Sequence, residues 1–193
     1  MTTQSNIDKR AKILDAALHL FVEKGFHATP TSAISKAAGV SAGILFHYFK
    51  TKEELIYTLF LETKLEFYQV MMTGLDKVKS PEGKFRLIWS NVWNYGMDQP
   101  HKFKFVQQIH NSPFEDKIKE DHAILDMTAQ MTQSIQAAID TGILKDAPIE
   151  LHMNNFYFLI LGLVELIWQK PELRNDNTFV EQAWESFWDC HKA

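Results

Sequence analysis

The sequence of 193 residues contains one cysteine, Cys190, and no long apolar run. A single thiol excludes an internal disulfide framework and suits a reducing compartment, so we assign Cys190 no role and expect the protein in the cytoplasm. No apolar stretch looks long enough to cross a bilayer, and the polar opening MTTQSNIDKR lacks the apolar segment of a secretion signal. We therefore expect no membrane partner.

The motifs of common enzyme classes are also missing. The sequence has no HExxH, GxxxxGK, GxGxxG or CxxC. None of its eight histidines follows a glutamate by three residues, the spacing of carboxylate-bridged di-metal bundles. His101 follows Asp98 at that spacing, but Pro100 breaks the helix that such a pair requires. We predict no catalytic residue, no metal and no cofactor.

Strand signals are nearly absent, and helical periodicity covers most of the chain. The pattern predicts an all-α fold of about nine helices, and a hydrophobic content of 46% is enough for a packed core. Helix boundaries follow from capping residues, prolines and glycines. The predicted starts and spans outside the stretch discussed next are Ser5 or Asp8 to Glu23, Ser80-Pro81, Gln99-Pro100, Ser112-Pro113, Asp116 to Thr141, Asp146 or Pro148 to Gln169, and a last helix after Asn175 or Asp176.

Residues 29–54, TPTSAISKAAGVSAGILFHYFKTKEE, predict two short helices, a tight turn and the start of a third helix. We expect Thr29 to cap the first helix and Gly39 to end it in a left-handed conformation. Ser41 should cap the second helix, and Thr51 with Glu54 forms the capping box of the third. Two short helices joined by a glycine-containing turn describe a helix-turn-helix, whose second helix enters the DNA major groove.

The second of these helices has a suitable surface for DNA. Ala42 and Gly43 are small enough to allow close approach, while His47 and Tyr48 can donate hydrogen bonds. Leu45 and Phe49, one turn apart, should instead face the core. The neighbouring cations Lys36, Lys50 and Lys52 either bind phosphates or are ordinary solvated lysines, and the same choice applies to Lys9, Arg10 and Lys12, for which a solvated face is favoured.

The distribution of charge agrees with a DNA-binding front. The net charge of −4 by itself argues against a nucleic-acid binder. Residues 1–52, however, hold seven Lys or Arg against three Asp or Glu, a net +4, which leaves −8 on the remainder. A basic front on an acidic body keeps the attraction for phosphate local. We predict a DNA-binding domain over 1–52 and an effector-binding and dimerisation domain over 53–193, sharing one long helix that begins at Lys52.

The segment AGVSAGILFHYFKTKEEL, preceded by KRAKILDAALHLFVEKGFHATP, resembles the N-terminal domain of the TetR (tetracycline-repressor) family of transcriptional regulators. The resemblance covers about the first quarter of the chain. It implies a homodimer that binds a double-stranded DNA operator and is released by a small-molecule effector. Phe46 stands where the family usually has a tyrosine whose hydroxyl reaches a phosphate. The DNA-binding residues predicted from the motif and its flanks are Thr29, Lys36, Ser41, Ala42, Gly43, Phe46, His47, Tyr48 and Lys52.

The body is rich in aromatic residues and methionine, which indicates either core packing or the walls of a pocket for an apolar or aromatic effector. The predicted pocket residues are Phe67, Trp89, Trp93, Phe105, Gln108, Met127, Met131 and Tyr157.

The helix ending at Gln169 is apolar nearly all round from Phe156 to Trp168, so it needs two neighbours. We predict a four-helix dimer interface from this helix and the last one; the alternative is that both form the centre of a monomeric bundle. The predicted interface residues are Phe158, Leu161, Gly162, Glu165, Leu166, Trp184, Phe187 and Trp188.

The sequence therefore favours a ligand-responsive DNA-binding transcriptional regulator, a repressor released from a palindromic operator. The competing interpretation is a helical small-molecule-binding protein or an enzyme without DNA binding. Only the helix-turn-helix separates the two.

Overall fold

The computed structural model describes residues 3–110, 112, 114 and 120–193, with side chains described from residue 8 onward. These ranges contain nine α-helices and no β-strand, so the predicted all-α class is confirmed. Two short 3₁₀-helices, Leu75–Lys77 and Pro171–Asn175, and one isolated bridge between Leu144 and Lys192 complete the described elements. The helices are α1 (Thr3–Lys24), α2 (Thr31–Ala37), α3 (Ala42–Tyr48), α4 (Lys52–Met72), α5 (Pro81–Asp98), α6 (Pro100–His110), α7 (His122–Asp140), α8 (Ile149–Gln169) and α9 (Asn177–His191).

Most predicted helix boundaries agree with the observed ones. The starts of α5 and α6 at proline are confirmed. Asp176 caps α9, since its carboxylate accepts hydrogen bonds from the backbone N–H groups of Thr178 and Phe179 at 2.9 and 3.2 Å. Glycines end α1 and α7 with positive φ, +79° at Gly25 and +68° at Gly142.

Two boundary predictions need correction or lie outside the described residues. Helix α1 begins at Thr3, so the predicted caps Ser5 and Asp8 are positions within the helix. Asp8 instead pairs with Lys12 one turn later, at 2.7 Å. The predicted start at Pro113 and residues 115–119 fall outside the described residues. Glu120 and Asp121 are described and are not helical, so α7 begins at His122, later than the predicted start around Asp116.

The chain divides into two compact units. The first contains residues 1–66 and 99–121, and the second contains 67–98 and 122–193. Helix α4 contributes residues to both units without a break. The predicted boundary at residue 52 separates DNA binding from effector binding and dimerisation, and it stays a prediction.

In the first unit, α1 packs against α2, α3 and α6. The core contains fully buried side chains from each of these helices, including Phe21, Ile34, Leu45 and Phe105. The rings of Phe21 and Phe105 stack with centroids 6.3 Å apart, and the Phe26 ring packs against both of them. This packing fixes the two short helices on a rigid base.

In the second unit, α8 packs against α5, α7 and α9. An aromatic cluster joins α5 to α9: the ring of Trp89 lies 5.1 Å from that of Trp93, 5.8 Å from Trp184 and 6.4 Å from Phe187. All four side chains are buried. Burial of several large aromatic rings gives this unit most of its apolar stabilisation.

Helix α8 has an unusual balance of composition and burial. It is long and apolar enough to cross a membrane by length and composition alone, which corrects the expectation that no segment meets this test. The expectation rested on an uninterrupted apolar run, and the run from Phe156 is interrupted at Glu165. The mean hydropathy of the helix stays high despite a few polar residues. Only 22% of its apolar window is buried within the chain. Leu151, Phe158 and Leu159 are among its exposed apolar side chains, so α8 has an uncovered apolar face.

The end of α9 is held by a buried pair of histidines. The Nδ1 atoms of His152 and His191 lie 3.1 Å apart, and His152 Nε2 lies 3.0 Å from the carbonyl oxygen of Lys145. A carbonyl can only accept, so His152 carries its proton on Nε2 and accepts at Nδ1 from His191 Nδ1–H. His191 Nε2 is then an unprotonated, buried nitrogen with no partner in the described part of the chain. A second proton on His191, at Nε2, would therefore be buried without an acceptor among the described residues.

This arrangement predicts a loss of stability in acid. Burial, followed by the charges of His152 and Lys145, lowers the pKa of His191 from 6.5 to about 4. Below pH 6.5 the unfolded chain takes up a proton that the folded chain excludes, so the free energy of unfolding falls as the pH drops towards 4. We expect His191 to account for about 3 kcal/mol of this decrease. Urea unfolding from pH 7 to 4 measures it.

The control for this prediction is His191→Gln. The variant should be less stable at pH 7 but should lose less stability than the wild type between pH 6.5 and 4. Parallel pH profiles for the two proteins would contradict the assignment.

Candidate nucleic-acid interface

The turn between α2 and α3 has the geometry that the sequence predicts. Gly39 has φ of +65°, the left-handed conformation expected at the end of α2. The Val40 N–H donates to the Ser35 carbonyl at 3.0 Å, which closes the turn. Ser41 caps α3, because its Oγ accepts a hydrogen bond from the Ile44 N–H at 3.3 Å. The predicted helix-turn-helix is thus present with its predicted Ser41 cap.

Thr29 does not have its predicted capping role. The residue that precedes α2 is Pro30, which makes no side-chain cap, and α2 begins at Thr31. The Thr29 hydroxyl donates instead to the carbonyls of Gly25 and Leu20, at 2.8 and 3.2 Å. Its side chain is fully buried. Thr29 therefore ties α2 to the end of α1, and we leave it out of the proposed DNA contacts.

The junction between α3 and α4 is closed by hydrogen bonds in both directions. The Glu54 N–H donates to Thr51 Oγ1 at 3.0 Å, as a capping box requires. The Glu54 carboxylate accepts from the Lys50 N–H at 2.7 Å, one residue earlier than the standard pattern. Lys50 Nζ also donates to the carbonyl of Phe46 at 3.4 Å. These bonds fix the end of α3 relative to the start of α4.

The inner face of α3 is anchored in the first unit as predicted. Leu45 is fully buried and Phe49 is 2% exposed. The guanidinium of Arg10 lies over the Phe49 ring, 5.7 Å from its centroid, and pairs with Glu62. Arg10 therefore contacts Phe49 and Glu62 within the first unit. No local sequence signal predicts this role, because the three residues are far apart in the chain.

The outer face of α3 carries small and polar residues. Ala42, Gly43, Phe46 and His47 are exposed and lie at the i, i+4 spacing of one helix face, with Tyr48 half-buried at its edge. The rings of His47 and Tyr48 meet edge to face at 5.3 Å.

The absence of a side chain at Gly43 is not required by the fold. Its φ is ordinary, and a Cβ there would meet only Ser41 Oγ at 3.9 Å. A glycine within a helix costs about 0.5–1 kcal/mol relative to alanine. A close external partner is a physical reason to keep it.

Several cations flank this face. In the described ranges Lys36 and Lys52 form no ion pair, and Lys36 is exposed while Lys52 is half-buried. Lys12 pairs with Asp8 one turn away, in agreement with the favoured interpretation of a solvated surface charge, whereas Arg10 pairs with Glu62 and contacts Phe49. Free cations beside a small, exposed helix face are suited to bind phosphate.

A helix-turn-helix on a rigid three-helix base, with an exposed second helix and flanking lysines, defines a DNA-binding protein. The family model for bacterial regulatory proteins of the tetR family matches residues 13–57, which include the whole motif. A crystal structure assigned to the tetR family of transcription regulators, from Shewanella sp. PV-4, is 30% identical and superposes with a TM-score of 0.84 over 96% of this chain and 98% of that chain. The chain belongs to the TetR family and is a DNA-binding transcriptional regulator.

Two further relatives show how far this similarity extends. The fatty acid metabolism regulator protein of Bacillus subtilis is 31% identical over 101 residues, 52% of each chain, so the match spans about half the length of this relative. The crystal structure of the transcriptional regulator FadR from Bacillus subtilis in complex with stearoyl-CoA has a TM-score of 0.70 at 24% identity, over 93% of this chain and 95% of that chain. At this identity the second similarity concerns the fold alone.

The predicted pocket residues are divided between the two units. Phe105 is fully buried against Phe21 and Phe26, and Gln108 donates through Nε2 to the Val22 carbonyl at 3.2 Å, both within the first unit. The other six are in the second unit. Trp89 and Trp93 lie in its aromatic cluster, the Phe67 ring is 5.2 Å from Tyr95, Met127 is buried, Met131 is half-buried, and Tyr157 packs against Phe158.

The predicted interface residues also separate into two groups. On α8, Phe158, Gly162 and Glu165 are exposed on one face, with Leu161 and Leu166 half-buried beside them. On α9, all three predicted residues are buried within the same chain, so we remove them from the interface; they are Trp184, Phe187 and Trp188. The aromatic period of α9 indicated an apolar face but could not show that α5 covers it.

Proposed function

We propose that the protein is a homodimeric repressor that places its two α3 helices in successive major grooves of a palindromic operator, with half-sites about 34–36 Å apart. The observation that carries this proposal is the exposed outer face of α3, which is small and polar apart from Phe46, together with Lys36 and Lys52, which form no ion pair within the described residues. His47 and Tyr48 would read bases, Ala42 and Gly43 would allow close approach, and the Ser41 backbone region would lie next to the strand. We place this activity in the cytoplasm.

The proposed dimer forms through α8. Its uncovered apolar side chains on the Phe158 face would be buried against the same helix of a second copy. Gly162 is exposed, and a Cβ added there would have nothing within 4 Å, so a partner helix can approach closely at this point. The outward face of α9 carries Glu181, Glu185 and Asp189, which are exposed and do not suit an apolar contact.

The proposed effector is small and apolar or aromatic, and it binds in the second unit. Trp89 Nε1–H is buried and has no acceptor among the described residues, so a polar atom of a ligand would satisfy it. The transcriptional regulator FadR from Bacillus subtilis, whose fold is similar, has a crystal structure in complex with stearoyl-CoA. Binding of the effector would change the conformation of α4, which has residues in both units. This change would release the DNA. Titrating stearoyl-CoA and simple aromatic compounds into the protein–DNA complex tests this step.

The DNA-binding proposal predicts a change in salt dependence when lysines are removed. Lys52→Ala and Lys36→Ala should each weaken binding to duplex DNA at low ionic strength. Each should also reduce the slope of log affinity against log salt by about 2, because a dimer would lose two phosphate contacts at about 0.9 each. Fluorescence anisotropy with a labelled duplex at several salt concentrations measures both quantities.

Lys79→Ala is the matched control, since Lys79 is an exposed lysine of the second unit. It should leave both the affinity and the slope unchanged. An unchanged slope for Lys52→Ala would contradict its assignment as a phosphate contact. If the protein bound no duplex, the proposed function would be wrong, and a ligand-binding protein without DNA binding would be favoured.

A further inference from the structure

The exposed ring of Phe46 is an anomaly on the DNA-facing surface. Phe46 is 42% exposed, and in the described part of the first unit it is the one large apolar side chain that is exposed; the others, Leu125, Leu151, Phe158 and Leu159, belong to the second unit. Its backbone carbonyl accepts a hydrogen bond from Lys50 Nζ, so its position at the end of α3 is fixed.

The position of Phe46 determines what the ring can meet. It lies one turn after Ala42 and next to His47 on the outer face of α3, the face with small residues that permits close approach. A phenyl ring has no hydroxyl or N–H, so it cannot donate a hydrogen bond to a phosphate or to a base edge. Phosphate oxygens would instead lose water against it without compensation.

One group in the major groove matches an apolar ring. Guanine, cytosine and adenine present hydrogen-bonding atoms there, whereas thymine adds a C5-methyl group, with which phenylalanine makes apolar contact. We propose that Phe46 is a specificity-determining residue that reads the C5-methyl group of a thymine in each half-site. This inference rests on the proposed DNA binding. Where a tyrosine would contact a phosphate, Phe46 would instead select for one base.

The first step of the test identifies the operator. The full-length protein is used to select sequences from a library of random duplexes, and the enriched duplex is resynthesised with each thymine in turn replaced by deoxyuridine, which removes only the methyl group. We expect one symmetry-related pair of thymines whose methyl groups matter. Loss of one methyl contact should weaken binding about 3- to 5-fold, and loss of both about 10- to 25-fold.

The second step assigns the effect to Phe46. With Phe46→Ala, the same deoxyuridine substitutions should change affinity by less than about 1.5-fold, the range expected when no methyl contact is left to lose. Because the ring is exposed, this variant should melt like the wild type. His47→Ala is the control on the same face, and it should weaken binding yet keep the full sensitivity to the thymine methyl groups. Phe46→Tyr should keep part of this sensitivity, since it retains the ring.

The possible results separate the two proposals. A selected duplex without any methyl-sensitive thymine, or a sensitivity that persists in Phe46→Ala, would overturn the role of Phe46 while DNA binding stands. Failure to enrich any duplex at low salt would overturn the proposed function itself.

Discussion

Replacing Phe158 with glutamate is expected to convert a dimer into monomers. Phe158 is 58% exposed in the single chain, so its replacement removes little packing within the fold. In the proposed dimer this position would be buried at the interface in both subunits. The two introduced carboxylates would then lose water close to each other near the two-fold axis. We expect the dissociation constant of the dimer to rise by at least about 100-fold, which corresponds to roughly 3 kcal/mol. Sedimentation velocity over a range of concentrations measures this change.

The monomer should also bind operator DNA poorly, because each half-site then binds independently and the gain from linking two recognition helices is lost. Gly162→Trp offers a second route to the same outcome: a single chain has open space at this position, but a tryptophan would block a close partner helix.

Leu125→Glu is the matched control for the interface. Leu125 is 49% exposed in the same unit but lies on α7. This variant should remain a dimer with normal DNA binding. Dimers that persist in both Phe158→Glu and Gly162→Trp would show that α8 is not the contact.

Replacing Gly43 with leucine should abolish specific DNA binding while the protein stays folded and dimeric. A Cβ at this position would make only an ordinary contact with Ser41 Oγ, at 3.9 Å, and replacement of a glycine in a helix stabilises the helix by about 0.5–1 kcal/mol. In the complex, however, a leucine on each α3 would hold the helix away from the groove. Every close contact from the outer face would lengthen, so we expect affinity for the selected duplex to fall by about 100-fold or more.

Anisotropy titrations measure the affinity, and circular dichroism melting confirms the fold. Ala137→Leu, an equivalent enlargement at an exposed position of α7, should change neither property. If Gly43→Leu bound DNA as tightly as the wild type, the amino-terminal half of α3 would not approach the groove.

Local signals in the sequence were sufficient to predict the helix-turn-helix. The Ser41 cap, the left-handed Gly39 and the Thr51–Glu54 bond each depend on residues no more than a few positions apart, so their sequence pattern determines their geometry. The buried face of α3 followed from helical spacing alone. For the same reason, the exposed face with Gly43 could be derived from the sequence.

The errors arose where a distant segment decides the outcome. Thr29 was expected to cap α2, but the carbonyl of Leu20 near the end of α1 takes its hydroxyl. The aromatic face of α9 was assigned to a partner chain, yet Trp89 on α5 covers it. A helical period shows that a face must be covered, and only the tertiary structure shows which element covers it.

The continuity of α4 limits how this chain can change during evolution. Residues 52–66 belong to one packing unit and residues 67–72 to the other, within a single uninterrupted helix. Because each residue of an α-helix advances the chain by about 100°, inserting or deleting one residue there would turn everything beyond it by that angle. The connection from α4 to α5, residues 73–80, contains only the short 3₁₀-helix Leu75–Lys77 and is not part of this continuous helix. Homologues should therefore vary in length in that connection and keep the spacing within α4 constant.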